Sequence, residues 1–163
     1  MADKVIVLIS DPKSSKSLRK TSLGTVITPN MSKKIWDLYL KRYDISNAEA
    51  VVSSKPSPIA ALFDYVDSNV RDADVIFGVS KKDDDLSRFK GVQKYADNWK
   101  NDYNVVLKDP SETAVEPYTS SSGKPVSASD IRAHANDLSQ VRDMLPSKLT
   151  AKDIDDISTM LSK

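Results

Sequence analysis

The chain contains no cysteine, which removes at once a disulfide framework, a thiolate metal site and a cysteine nucleophile. Histidine is nearly as scarce. His134 is the only one, so chemistry that needs two imidazoles cannot be assembled from these residues. An excess of either charge is also missing, because 24 Lys and Arg against 23 Asp and Glu leave a formal net charge of +1. Broad attraction to nucleic acid or to an anionic membrane is therefore not expected, and any anion site has to be local. The apolar run Val5 to Ile9 is too short for a signal-peptide core and far too short for a membrane span. No internal repeat is visible. These absences lead to the expectation of a cytoplasmic protein with neither nucleic acid nor membrane as a partner.

What is present is an ordinary globular balance, 39% hydrophobic and 29% charged over 163 residues, which suits one domain with a real core. Val5–Ile9, closed by Ser10-Asp11-Pro12, has the uninterrupted aliphatic character of a strand buried on both faces of a parallel sheet. Lys13 to Thr28 is polar and serine-rich, reads as a long loop, and is a candidate lid through Lys13, Lys16, Arg19 and Lys20. A helix is expected from Asn30 or Ser32 to about Tyr43, with Trp36 in the core. Ala48–Val52 reads as a second strand, followed after Pro58 by a helix carrying Ile59, Leu62, Phe63, Val66 and Val70. Asp74–Ser80 reads as a third strand, with a charged loop and a helix containing Phe89, Val92, Tyr95 and Trp99 behind it. Asn104–Leu107 is the fourth. An irregular stretch runs to Pro125, then one helix through Ile131, Leu138, Val141 and Leu145, and a last one from Thr150, where Asp153 completes a capping-box pattern. Strands alternating with helices imply right-handed crossovers and a mostly parallel, doubly wound α/β sheet. Ligands of such sheets sit beyond the carboxyl ends of the strands.

The segment Pro125 to Arg132 carries the strongest chemical suggestion. Ser127 or Ser129 can cap the helix that follows, leaving backbone N–H groups and the positive end of its dipole free for an anion. Arg132 adds a planar fork that matches two phosphate oxygens at once. The same string also describes an ordinary serine-capped helix with a solvent-facing arginine.

The order of these segments resembles the nucleotidylyltransferase superfamily, the α/β enzymes that include adenylyltransferases such as phosphopantetheine adenylyltransferase and the cytidylyltransferases. Val126-Ser127-Ala128-Ser129-Asp130-Ile131-Arg132 is similar to the late Ile-Ser-x-Thr-x-x-Arg signature of that family. The resemblance implies that Ser127, Ser129 and Arg132 bind the nucleotide triphosphate. Ser10-Asp11-Pro12-Lys13-Ser14-Ser15-Lys16 resembles the family's Asn-Pro-x-Lys loop, which gives Lys13 or Lys16 the substrate phosphate. Gly78, with Asp83 and Asp84 behind it, matches the strand end and polar loop beside the nucleotide.

The implied reaction moves a nucleotidyl group from ATP or CTP to a small phosphate-bearing acceptor, with Mg²⁺ on the triphosphate and pyrophosphate leaving. One part of the pattern has no counterpart here. The family's first strand and His-x-Gly-His loop are absent, and His134 cannot replace them. The expectation is thus an N-terminally truncated, Rossmann-like domain with no complete catalytic set, inactive or nearly so as it stands, with helices at the C-terminal end from about residue 128. The alternatives are a non-catalytic nucleotide-binding module or a protein-interaction module on the same fold. Assembly as a homo-oligomer stays open.

Overall fold

A computed structural model describes residues 2–81, 87 and 90–163, and in it the chain is a mixed α/β protein with short parallel sheets. Two compact units are formed, Met1–Pro58 with Tyr118–Lys163, and Ile59–Pro117. The first unit contains β1 (Val5–Ile9) and β2 (Ala48–Val52), paired in parallel with Val5 opposite Ala48 and Ile9 opposite Val52. Their crossover is α1 (Pro29–Arg42). This helix begins earlier than Asn30 or Ser32 because the Thr28 side chain accepts from the Met31 N–H at 3.2 Å and Pro29 occupies the first turn. Proline there loses no hydrogen bond and arrives with a helical φ.

The second unit holds α2 (Pro58–Asn69) from Ile59 onward, β3 (Ala73–Val75) and β4 (Val105–Leu107), the two strands again parallel. Between them, a 3₁₀ turn over Val92–Tyr95 leads into α3 (Ala96–Tyr103). The expected third strand, Asp74–Ser80, forms a ladder only at its start. β4 runs out after Lys108 gives its N–H to the Val75 carbonyl, Pro110 opens the short α4 (Pro110–Thr113) under an Asp109 cap, and the segment pairs again only at Ser80, in an isolated parallel bridge to Val115. Val66, Val92 and Val105 are at most 1% exposed in this core. Trp99 packs beside them and donates to Asp67 at 2.9 Å.

Three helices close the first unit: α5 (Ala128–Ala133), α6 (Leu138–Met144) and α7 (Ala151–Ser162). The single helix expected from Ser127 or Ser129 through Leu145 is thus two. Asp137 accounts for the break, since its carboxylate accepts from Ser139 and Gln140 N–H at 3.0 and 3.2 Å and so starts a new helix. The capping box read at Thr150 is present in full, with Thr150 and Asp153 each bonded to the other's N–H. Asp153 also receives a two-point bond from Arg42 of α1, 2.6 Å from Nε and 2.8 Å from Nη2. That fork joins α1 to α7 above a core of Ile27, Val141, Leu145, Ile154, Ile157 and Leu161.

Ile157 is 1% exposed, so Ile157→Ala removes buried methylenes from a close-packed site and is expected to cost about 3 kcal/mol in urea unfolding. A loss below about 1 kcal/mol would mean that the core is looser than drawn. A pH effect follows from Asp153. The Arg42 hydrogen bonds, and then those of Thr150, hold its carboxyl well below the usual carboxylate range. A depressed folded pKa means that the unfolded chain takes up the proton first. The contribution is whole above the ordinary carboxylate pKa of about 4 and is lost as pH falls below it. Urea midpoints between pH 6 and pH 3 are expected to fall less steeply in Asp153→Asn than in the wild type, from a lower starting stability.

Candidate functional site

The sequence directs attention to the residues beyond the carboxyl end of β1. Ser10 follows the strand, is 2% exposed, and accepts a 2.8 Å hydrogen bond from Arg19 Nη2. Arg19 reaches it because the expected loop has two parts. Ser14–Ser17 makes an exposed turn, and Arg19–Ile27 makes a hairpin in which Lys20 bridges Val26 and the Ile27 N–H meets the Arg19 carbonyl. The hairpin is tied to α5, since Ser22 donates its N–H to the Arg132 carbonyl at 2.9 Å. Ile27 enters the core. The portion proposed as a lid is therefore anchored from Arg19 onward.

Arg19 and Arg132 come together at the edge of one cavity of about 840 Å³ in the first unit. They are its only charged lining residues among those described. Burial, and then the charge of Arg19, pulls the Arg132 guanidinium below its usual value. Apart from the hydroxyls of Ser32 and Ser127, the rest of the wall is apolar or aromatic. Ser32, Ile35, Trp36, Tyr39, Leu40 and Tyr43 form one stripe of α1 at helical spacing. Ile131, Leu145, Ile157 and Leu161 face it from the later elements. A second hairpin supplies Tyr118 and Val126, which are joined by a 2.8 Å backbone bond, while Gly123 makes the turn at a φ of +79° that L side chains rarely adopt. Tyr118 donates its hydroxyl to the Leu145 carbonyl at 3.2 Å. Burial, with Tyr118 beside it, pushes the Tyr39 phenol up to about 12. It stays protonated at neutral pH.

The predicted phosphate residues fall in different settings. Ser127 is the N-cap of α5, as one of the two alternatives had it, and Ser129 lies with its hydroxyl oxygen 2.6 Å from that of Ser127. The open helix start is corrected by Asp130. Its carboxylate accepts from the Ser127 N–H at 2.7 Å and the Ser127 hydroxyl at 2.6 Å, and the Asp130 N–H turns back to Ser127 at 3.3 Å. A carboxylate thus already occupies the position where an anion would meet the cap, and a six-residue helix has little dipole to add. Arg132 is half-buried and lines the cavity, not solvent-facing as in the ordinary reading. Lys13 and Lys16 are exposed on the loop after β1, with Lys13 paired to Asp11. Gly78 lies in the second unit, where a Cβ would meet open space. Asp83 and Asp84 lie outside the described residues. His134 caps the end of α5, its Nδ1 2.9 Å from the Asp130 carbonyl.

Sequence reasoning placed Trp36 in the core, whereas it is 40% exposed on the cavity wall. It also listed Arg19 only among the lid cations. The spacing of Ser32 to Tyr43 was visible, yet an apolar helix stripe looks the same whether it meets protein or lines a cavity. Among the described residues no three His, Asp or Glu side chains are grouped to hold a metal ion, and no carboxylate lines the cavity. Comparisons with protein-family models, with curated proteins and with solved structures return no match.

Only two tryptophans are present, and they report on different surroundings, Trp99 being 3% exposed against 40% for Trp36. Trp99→Phe is expected to leave red-shifted emission that acrylamide quenches readily, and Trp36→Phe to leave blue, protected emission. Equal quenching in the two variants would contradict the open cavity wall.

Proposed function

We propose that the protein is a nucleotidylyltransferase-like nucleotide binder that holds the phosphates of ATP or CTP with Arg132 and Arg19. One observation carries this reading: two guanidiniums share the edge of a cavity that has no lining carboxylate among the described residues. Placing like charges side by side in a half-buried setting costs electrostatic energy, and a polyphosphate removes that cost while using the bidentate geometry of both forks. In this reading Ser129 would add a hydroxyl, while Ser127 and Asp130 hold the start of the helix that carries Arg132.

In this reading the two parallel strand pairs belong to a doubly wound, Rossmann-like architecture, and Lys13 or Lys16 meets the phosphate of a small acceptor. Transfer of the nucleotidyl group is the reaction that the scaffold would serve. In-line attack on the α-phosphate needs donors for the developing charge, and loss of one such donor typically costs ~100 to 1,000-fold. The residues assigned here bind and orient phosphate. They supply no acid or base, and no step runs through Mg²⁺.

Calorimetric titration with ATP and with CTP, each with Mg²⁺, tests the assignment. Arg132→Ala and Arg19→Ala are each expected to weaken binding by about tenfold or more, the scale of a lost charge-assisted pair. Wild-type affinity should also fall as salt rises. Equal affinity in the wild type and both variants would remove the phosphate role of the arginines.

A further inference from the structure

We infer that the ligand anchored by Arg19 and Arg132 is a phosphate ester with an extended apolar body, which lies along α1 inside the cavity. The inference rests on the phosphate role proposed for the two arginines and names a further class of phosphate ligand that the same pair would hold, in competition with ATP or CTP. Charge and apolarity are sharply divided in this cavity. Both lining charges sit on Arg19 and Arg132, and everything else described on the wall is uncharged at neutral pH.

The α1 stripe runs from Ser32 to Tyr43, which at 1.5 Å per residue is a wall of about 16 Å. Opposite it stand Ile131, Leu145, Ile157 and Leu161. A volume of about 840 Å³ lies within the range of small-molecule sites. Hydrogen-bonding groups are a minority of that wall, the hydroxyls of Ser32, Tyr39, Tyr43, Ser127 and Tyr118 among its aliphatic side chains, and the Tyr118 hydroxyl is given to the Leu145 carbonyl. An alkyl or isoprenoid chain needs none. It would cover the exposed face of Trp36 and bring the phosphate to the guanidinium pair.

A series of n-alkyl phosphates from methyl to decyl, kept below micelle concentrations, tests this in the Trp99→Phe background, where Trp36 is the sole indole. Each methylene removed from water is worth roughly fourfold in affinity, so affinity should climb steeply with chain length and Trp36 emission should shift to the blue. Arg132→Ala should weaken every member of the series by a similar factor. Leu161→Gln, which places a polar amide against the chain, should reduce the gain in affinity with length. If that variant fails to fold, the milder Ile35→Gln should reduce the same slope.

Affinity that is flat from methyl to decyl phosphate, while ATP still binds through Arg132, would overturn this inference and leave the phosphate reading standing. Length-dependent binding that ignores both arginines would overturn it too, as would loss of all phosphate binding, which also ends the phosphate reading. Phosphatidylcholine vesicles containing phosphatidic acid are expected not to sediment the protein, since a chain held in a bilayer cannot lie along α1. Co-sedimentation would overturn the assignment to a soluble ester.

Discussion

The Arg42–Asp153 fork is the constraint on which the first unit depends. Asp153 is only 3% exposed, and an isolated carboxylate at that depth would be driven to neutralise itself. Here it is bonded by two guanidinium nitrogens and by the Thr150 N–H and hydroxyl, so its capacity to accept is fully used. One side chain therefore starts α7 and fixes α1 against it. Those two helices both line the cavity, which gives a part-buried ion pair a structural consequence well beyond its own energy.

The same local motif occurs twice with different outcomes. Asp130 and Asp153 each close on their own cap, and Asp153 also accepts from Arg42 of α1. Sequence makes the two look alike, as Ser or Thr followed three residues later by Asp. The Arg42 fork on Asp153 joins residues 111 apart in the chain, which no short-range pattern reveals. At the start of α5, where the sequence suggests a seat for phosphate, the Asp130 carboxylate already holds the cap.

Much of the fold was legible where the signal is local. The strand Val5–Ile9, the strand Ala48–Val52 and the capped start of α7 follow from short-range rules on apolar runs and side-chain acceptors. The third strand was read too long because a ladder needs a partner, and no rule about Ile76 to Val79 reveals that β4 stops before Pro110. Trp36 was misplaced for a related reason. Helical spacing identifies a face but not what meets it, so a cavity wall and a core stripe carry one signature. Of the candidate site, Arg132 was legible from its string, while its partner Arg19 was not, because a hairpin between Lys20 and Val26 brings the two together.

A near-neutral chain and a phosphate site are not in conflict once scale is considered. Exposed charges more than about 10 Å apart are largely screened at ordinary ionic strength, so a net charge of +1 says little about any one patch. What decides is the balance within a few ångströms of the anion. There the described wall offers two guanidiniums and no carboxylate, and the apolar surface beside them lowers the local dielectric. That surface would strengthen the attraction of the pair for the proposed phosphate. The apolar stripe and the two arginines are therefore best regarded as parts of one device: the stripe tunes the charge, and the charge orients whatever the stripe covers.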